Sequence, residues 1–167
     1  SSDLVALKDQ LLLFTFRTKA EGGKVALSHE EYLHFIRVVL ATDCADLIDI
    51  EFFTAGAELP ALIEEAHTAG AAVVCSSHDF HKTPPRTELV SRMMQMQRAG
   101  ADLPKLAVMP QSRTDVLELL AATAEMADRH PETPIITMSM GALGAMSRLS
   151  GEALGSAMTF ANPGQAS

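Results

Sequence analysis

Apolar blocks and polar-faced stretches alternate along this chain, and each block has the length of a strand or a helix. "LLLFTF" at 11–16 reads as a buried strand. "SHEEYLHFIRVVLAT" at 28–42 reads as a helix, with Ser28 and Glu31 spaced as a capping box. "DLIDIEFF" (46–53) is a strand. "LPALIEEAHTAG" (59–70) is a helix with Pro60 near its start and Gly70 past its end. The alternation continues with a strand at 71–77, a helix at 86–100, a strand at 104–110, a helix at 112–130 and a strand at 134–140. A short helix or turn at 144–152 and a sixth strand at 155–160 complete it.

Strands of near-continuous apolar character belong to parallel sheets covered on both faces. Regular βα alternation then leaves a doubly wound sheet or a (β/α)8 barrel. No GxGxxG or GxxxxGK[ST] follows any strand, which removes support for the nucleotide-binding versions. The expected architecture is one domain over 1–167, of α/β class and (β/α)8 TIM-barrel type.

Length and charge narrow the partners. A chain of 167 residues is one domain by default. A net charge of −8 argues against nucleic acid or an anionic membrane as partner, because both need a basic footprint. No apolar run is long enough to span a membrane, and "SSDLVALKDQ" lacks the shape of a signal peptide. Cys44 and Cys75 sit among apolar residues with no metal spacing, so both are expected to be reduced core cysteines of a cytoplasmic protein.

In a barrel, chemistry collects where strands end. Arg17 and Glu21 follow the first strand, Glu51 ends the second, and His78 ends the third. Lys105 lies within the fourth, and Arg148 follows the fifth. A lysine amine held neutral by apolar surroundings attacks carbonyls to form an imine; the alternative is a lysine snorkelling from a strand end. Histidine supplies a proton shuttle near neutrality. His78 could equally cap a helix or sit satisfied in the core, and His78 with His81 forms an HxxH that is too small for a zinc site. Arg17 and Arg148 have the fork that reads carboxylates, or they form ordinary ion pairs. Glu21 could orient His78, or it is a solvated loop charge. Glu51 is equally ambiguous.

Read together, "LLLFTFRTKAEGG", "DLIDIEFF", "SSHDFHKTPP", "GADLPKLAVMPQS", "PIITMSMG", "SRLSGEALGSAMTF" and "PGQ" resemble the type I 3-dehydroquinate dehydratases. The resemblance runs in order across nearly the whole chain. It implies dehydration of 3-dehydroquinate to 3-dehydroshikimate, the third step of the shikimate pathway. Lys105 would form a Schiff base with the substrate's ketone, His78 would be the general acid/base, and Glu21 would position His78. Arg17 and Arg148 would bind substrate, with Arg148 on its carboxylate. Gln165 would close over the substrate, and Phe80, Met140 and Phe160 would line the pocket. No metal and no organic cofactor is implied.

Two departures qualify the expectation. The family carries two further strands ahead of "LLLFTF", including a Glu-Trp-Arg motif, and this chain has no tryptophan. Six strands cannot close a barrel of usual shear. The expectation is therefore an incomplete barrel, N-terminally truncated relative to the family, with a homodimer or a partner chain completing it. The last loop is also short, with only Ala161 and Asn162 between Phe160 and Pro163. The rival readings are a non-catalytic or partner-dependent paralogue that binds a related hydroxy-acid, and another class I Schiff-base barrel of the aldolase kind.

Overall fold

The computed structural model describes residues 11–144 and 155–157. Its strands are β1 (Leu13–Phe14), β2 (Leu47–Glu51), β3 (Ala72–Asp79), β4 (Leu103–Val108) and β5 (Ile136–Ser139). They form one sheet in the order β1-β2-β3-β4-β5, and every pairing is parallel. This is the α/β alternation expected of a barrel wall, left open among the described residues. Ser156 adds an isolated parallel bridge to Ile135 beyond β5, where the sixth strand was expected. The rest of that strand (158–160) and most of the expected turn at 144–152 lie outside the described residues.

The helices are α1 (His29–Leu40), the single-turn α2 (Phe52–Ala55), α3 (Leu59–Thr68), α4 (Arg86–Arg98) and α5 (Arg113–Arg129). The capping box closes α1 in both directions: Glu31 N donates to Ser28 Oγ at 3.2 Å, and Ser28 N donates to Glu31 Oε2 at 2.7 Å. Ser112 caps α5 in the same way by accepting from Asp115 N. After α4 the chain reverses through Gly100 at φ +101°, a conformation glycine adopts without Cβ strain.

Side chains alternate across each strand, so the parallel register sorts them into two sets. Ile48 and Ile50 of β2, Val73 and Cys75 of β3, and Leu106 and Val108 of β4 face the helices. They bury there with Tyr32, Ile36, Leu62, Leu89, Met93 and Leu119. Phe14 and Phe16 reach the same layer and pack on Phe35 of α1. The other face carries Asp49, Glu51, Ser76, His78 and Lys105, with Glu51 beside Ser76 and Ser76 beside Lys105 in register.

Three expectations need correction. β1 is two residues long rather than spanning 11–16. Past Phe14 the backbone leaves the ladder with β2: Thr18 N bonds the Glu51 carboxylate at 2.8 Å, and Thr18 makes an isolated bridge to Val25. β2 stops at Glu51 because Phe52 begins α2. Cys44 is exposed in the connection between α1 and β2, where its sulfur accepts from Thr42 Oγ1, so only Cys75 is a core cysteine.

Candidate active site

The site is built on the polar face, toward the C-terminal ends of β2 and β3 and within β4. Its centre is a ladder of buried charges. Asp49 and Glu51 are fully buried, and Glu21 and Lys105 are 4% and 5% exposed. Buried charges persist only when paired and hydrogen-bonded, and here the pairing runs through Arg17. Its Nη2 lies 2.6 Å from Asp49 Oδ2, and its Nη1 lies 3.2 Å from Glu51 Oε1 and 2.8 Å from Ser76 Oγ. Glu21 Oε2 is 3.6 Å from the same Nη1.

Glu51, ambiguous from sequence, is a structural hub. It accepts from Thr18 N, Thr18 Oγ1 and Thr54 Oγ1, while its own N–H donates to Tyr32 OH. The guanidinium of Arg17, expected to read substrate, is largely engaged in tying β1 to β2 and β3.

His78 and Glu21 meet as the resemblance implies. Glu21 Oε2 lies 2.9 Å from His78 Nδ1 and accepts from His78 N at 3.1 Å. Glu21 reaches this point on a single 3-10 turn, Lys19–Glu21, closed by Gly22 at φ +89°. A Cβ on Gly22 would stand 2.3 Å from the Phe80 ring, so glycine there also lets Phe80 in. Phe80 in turn lies nearly parallel to the His78 ring, with centroids 6.3 Å apart. Burial, then the Glu51 charge, push Glu21 up to about 8 against the pull of Arg17. Burial, then Arg17 and Lys105, push His78 down to about 3. Burial leads both shifts, so each group is held toward its neutral form.

Lys105 points into this cluster, with Nζ 3.4 Å from Asp49 Oδ2. Burial, partly opposed by Asp49 and reinforced by Arg17, lowers its pKa. A lysine in this position supplies neutral amine more readily than one in water. The strand lysine is thus neither snorkelling nor solvated.

Met140 stands half-buried just past β5, its N–H bonded to Val108 O. Arg148, Phe160 and Gln165 lie outside the described residues. Among the described residues no group of three or more His, Cys, Asp or Glu is placed to hold a metal ion, and no helix is long and apolar enough to cross a membrane. Sequence reasoning missed Asp49, Ser76, Thr18 and Tyr32. A signal for the first existed: in "LIDIE" acidic residues alternate with isoleucines, the period of a strand with one polar face.

The arrangement can form an imine on Lys105 and pass protons through the His78–Glu21 pair. A family model described as type I 3-dehydroquinase matches residues 2–167. The chain is 52% identical to the 3-dehydroquinate dehydratase of Klebsiella pneumoniae subsp. pneumoniae over 97% of its own length and 64% of that protein's. With the 3-dehydroquinate dehydratase of Clostridium kluyveri the figures are 53%, 93% and 62%. The chain therefore spans a little under two thirds of these relatives. Among solved structures it is similar to the type I 3-dehydroquinate dehydratase of Clostridium difficile with covalently modified comenic acid. That match has a TM-score of 0.89 at 46% identity, covering 95% of this chain and 64% of that one. It is equally similar to the 3-dehydroquinate dehydratase of Enterococcus faecalis, with a TM-score of 0.89 at 47% identity, covering 94% and 65%.

Proposed function

The chain belongs to the type I 3-dehydroquinase family, and from that premise we propose that it is a lyase that dehydrates 3-dehydroquinate to 3-dehydroshikimate through a Schiff base on Lys105. The observation that carries this reading is a buried lysine, lowered in pKa, on the same sheet face as a histidine paired with a buried glutamate.

The substrate is a β-hydroxy ketone. Loss of its C2 proton needs an electron sink, and a protonated imine is a stronger sink than a ketone. His78 takes the C2 proton and then delivers a proton to the departing C1 hydroxyl. Nδ1 faces Glu21, so the form of the pair that accepts a proton at Nε2 is the one in which Glu21 is ionised and accepts from Nδ1–H. Arg17, Arg148, Gln165, Phe80, Met140 and Phe160 are assigned to substrate binding on the family resemblance. For Arg17 the described contacts add a second duty, holding Asp49 and Glu51.

We place the protein in the cytoplasm, on the strength of the unbridged Cys44 and Cys75. A second copy or a partner chain along the open sheet is the assembly this reading favours, supported by Leu11 and Leu12, which are 80% and 45% exposed beside β1.

The test is intact-mass spectrometry after incubation with 3-dehydroquinate and borohydride, which reduces an imine to a stable amine. A covalent adduct on the parent chain and none on Lys105→Ala is the expected result. A folded parent chain with no adduct would sink the reading and put the binding-only or partner-dependent paralogue in its place.

A further inference from the structure

Asp49 was not among the candidates drawn from sequence, yet it is the residue on which the charges of the site converge. It is fully buried. Oδ1 accepts from Ser76 Oγ, and Oδ2 is shared between Arg17 Nη2 at 2.6 Å and Lys105 Nζ at 3.4 Å. Partners from β3, from β4 and from the segment after β1 thus hold one carboxylate still, beside the nitrogen proposed to react. We propose that Asp49 is the counter-ion of the imine: its fixed carboxylate orients the Lys105 nitrogen and stabilises the positive charge that nitrogen carries as a protonated imine. The inference rests on the Schiff-base reading above.

The charge accounting supports it. An ammonium and a ketone give a protonated imine and one water. The nitrogen carries one positive charge before and after, and its two lost protons leave with the ketone oxygen. When the C2 proton departs, the electron pair moves onto nitrogen and the charge disappears into an enamine. Expulsion of the hydroxyl, with a proton, as water restores the charge. The nitrogen therefore alternates between cationic and neutral states beside a fixed anion. In a water-poor site such an anion acts strongly and needs no reorganisation at the moment of reaction.

The contact lengths show why Asp49 does not simply lock the lysine as ammonium. Its close contact is to Arg17, and the contact to Lys105 is 0.8 Å longer. The guanidinium takes up much of the carboxylate's field, leaving Lys105 shifted downward overall even with Asp49 beside it. A carboxylate given wholly to Lys105 would hold the proton and slow attack; loss of the carboxylate would remove the fixed anion that lies against the imine cation.

The test begins without substrate. Pulse acetylation of the full chain over a pH series, read on the Lys105 peptide, measures where that amine becomes neutral. In Asp49→Asn the midpoint should fall by about one pH unit or more, the size of shift one adjacent opposite charge produces. Borohydride trapping with 3-dehydroquinate should fall about tenfold, the counterpart of one such unit, and Asp49→Glu should recover part of it. An unchanged midpoint, or undiminished trapping, in folded Asp49→Asn overturns the inference. Should that variant not fold, the Asp49 carboxyl carbon is followed by NMR in the parent chain. It should move at the Lys105 midpoint, and a flat response there overturns the inference equally. Failure of the dehydratase reading looks different: it is the absence of any adduct on the parent chain.

Discussion

Leu106 and Lys105 are neighbours on β4 and live in different chemical worlds. Leu106 faces the helices and is fully buried among apolar side chains. Lys105 faces the other way, is almost as buried, and meets Asp49. The same holds along β2, where Ile48 and Ile50 pack while Asp49 and Glu51 carry charge. One face gains stability from area removed from water. The other takes charges out of water, which costs stability unless each is paired. The fold can host the polar face because the apolar face, a residue away on every strand, outweighs it.

The sharpest way to break this comparison is to change each neighbour. Leu106→Ala should lower stability by about 2–5 kcal/mol, the range for emptying a core leucine, read as a shift in the urea midpoint. Lys105→Met should do the reverse on both scales. Adduct formation and turnover disappear, while the urea midpoint stays at or above that of the parent, because Asp49 keeps Arg17 and Ser76 as partners. A large loss of stability in Lys105→Met would show that the polar face is part of the scaffold after all.

A smaller effect separates the faces by pH. Glu21 is raised from 4.5 to about 8, so its contribution is complete below 4.5 and is lost as pH rises through about 8. His78 is lowered from 6.5 to about 3, so its contribution is complete above 6.5 and is lost as pH falls toward 3. The two slopes oppose each other between 4.5 and 6.5. Stability should therefore be greatest in that window and decline on both sides. Urea midpoints across pH check this, and Glu21→Gln should remove the alkaline decline alone. On the dehydratase reading kcat/KM should rise as Glu21 ionises near pH 8, and the same variant should remove that rise. An alkaline decline that survives Glu21→Gln would assign it to another group.

The smallest effect lies far from either face. Ser28→Ala removes the cap of α1 and should cost about 1 kcal/mol, moving the urea midpoint with no change in adduct yield.

Much of this was legible in advance. Ser28 and Glu31 announced their capping box because the bonds span three residues and depend on local backbone alone. Lys105 and His78 stand out as candidates because each is a titratable residue within or at the end of an apolar run. Asp49 did not stand out: it sits inside "LIDIE", and its partners lie 27 to 56 residues away. For Arg17 the sequence leaves substrate binding and an ordinary ion pair both open, since nothing near it in sequence shows that Asp49, Glu51 and Ser76 surround it. The apolar neighbours of Cys44 suggest the core, although it lies in a connection and not on an element.

The order of strands and helices, the parallel character of the sheet and the caps that start the helices follow from the sequence alone, because periodicity and short-range hydrogen bonds encode them. Tertiary structure decided which charges meet. Parallel register sets Glu51 beside Ser76 and Ser76 beside Lys105, and that register is chosen by packing against α1, α3 and α4 on the opposite face. The surroundings of Lys105 combine a carboxylate from β2 and a guanidinium from the segment after β1, and no local stretch of sequence contains all three.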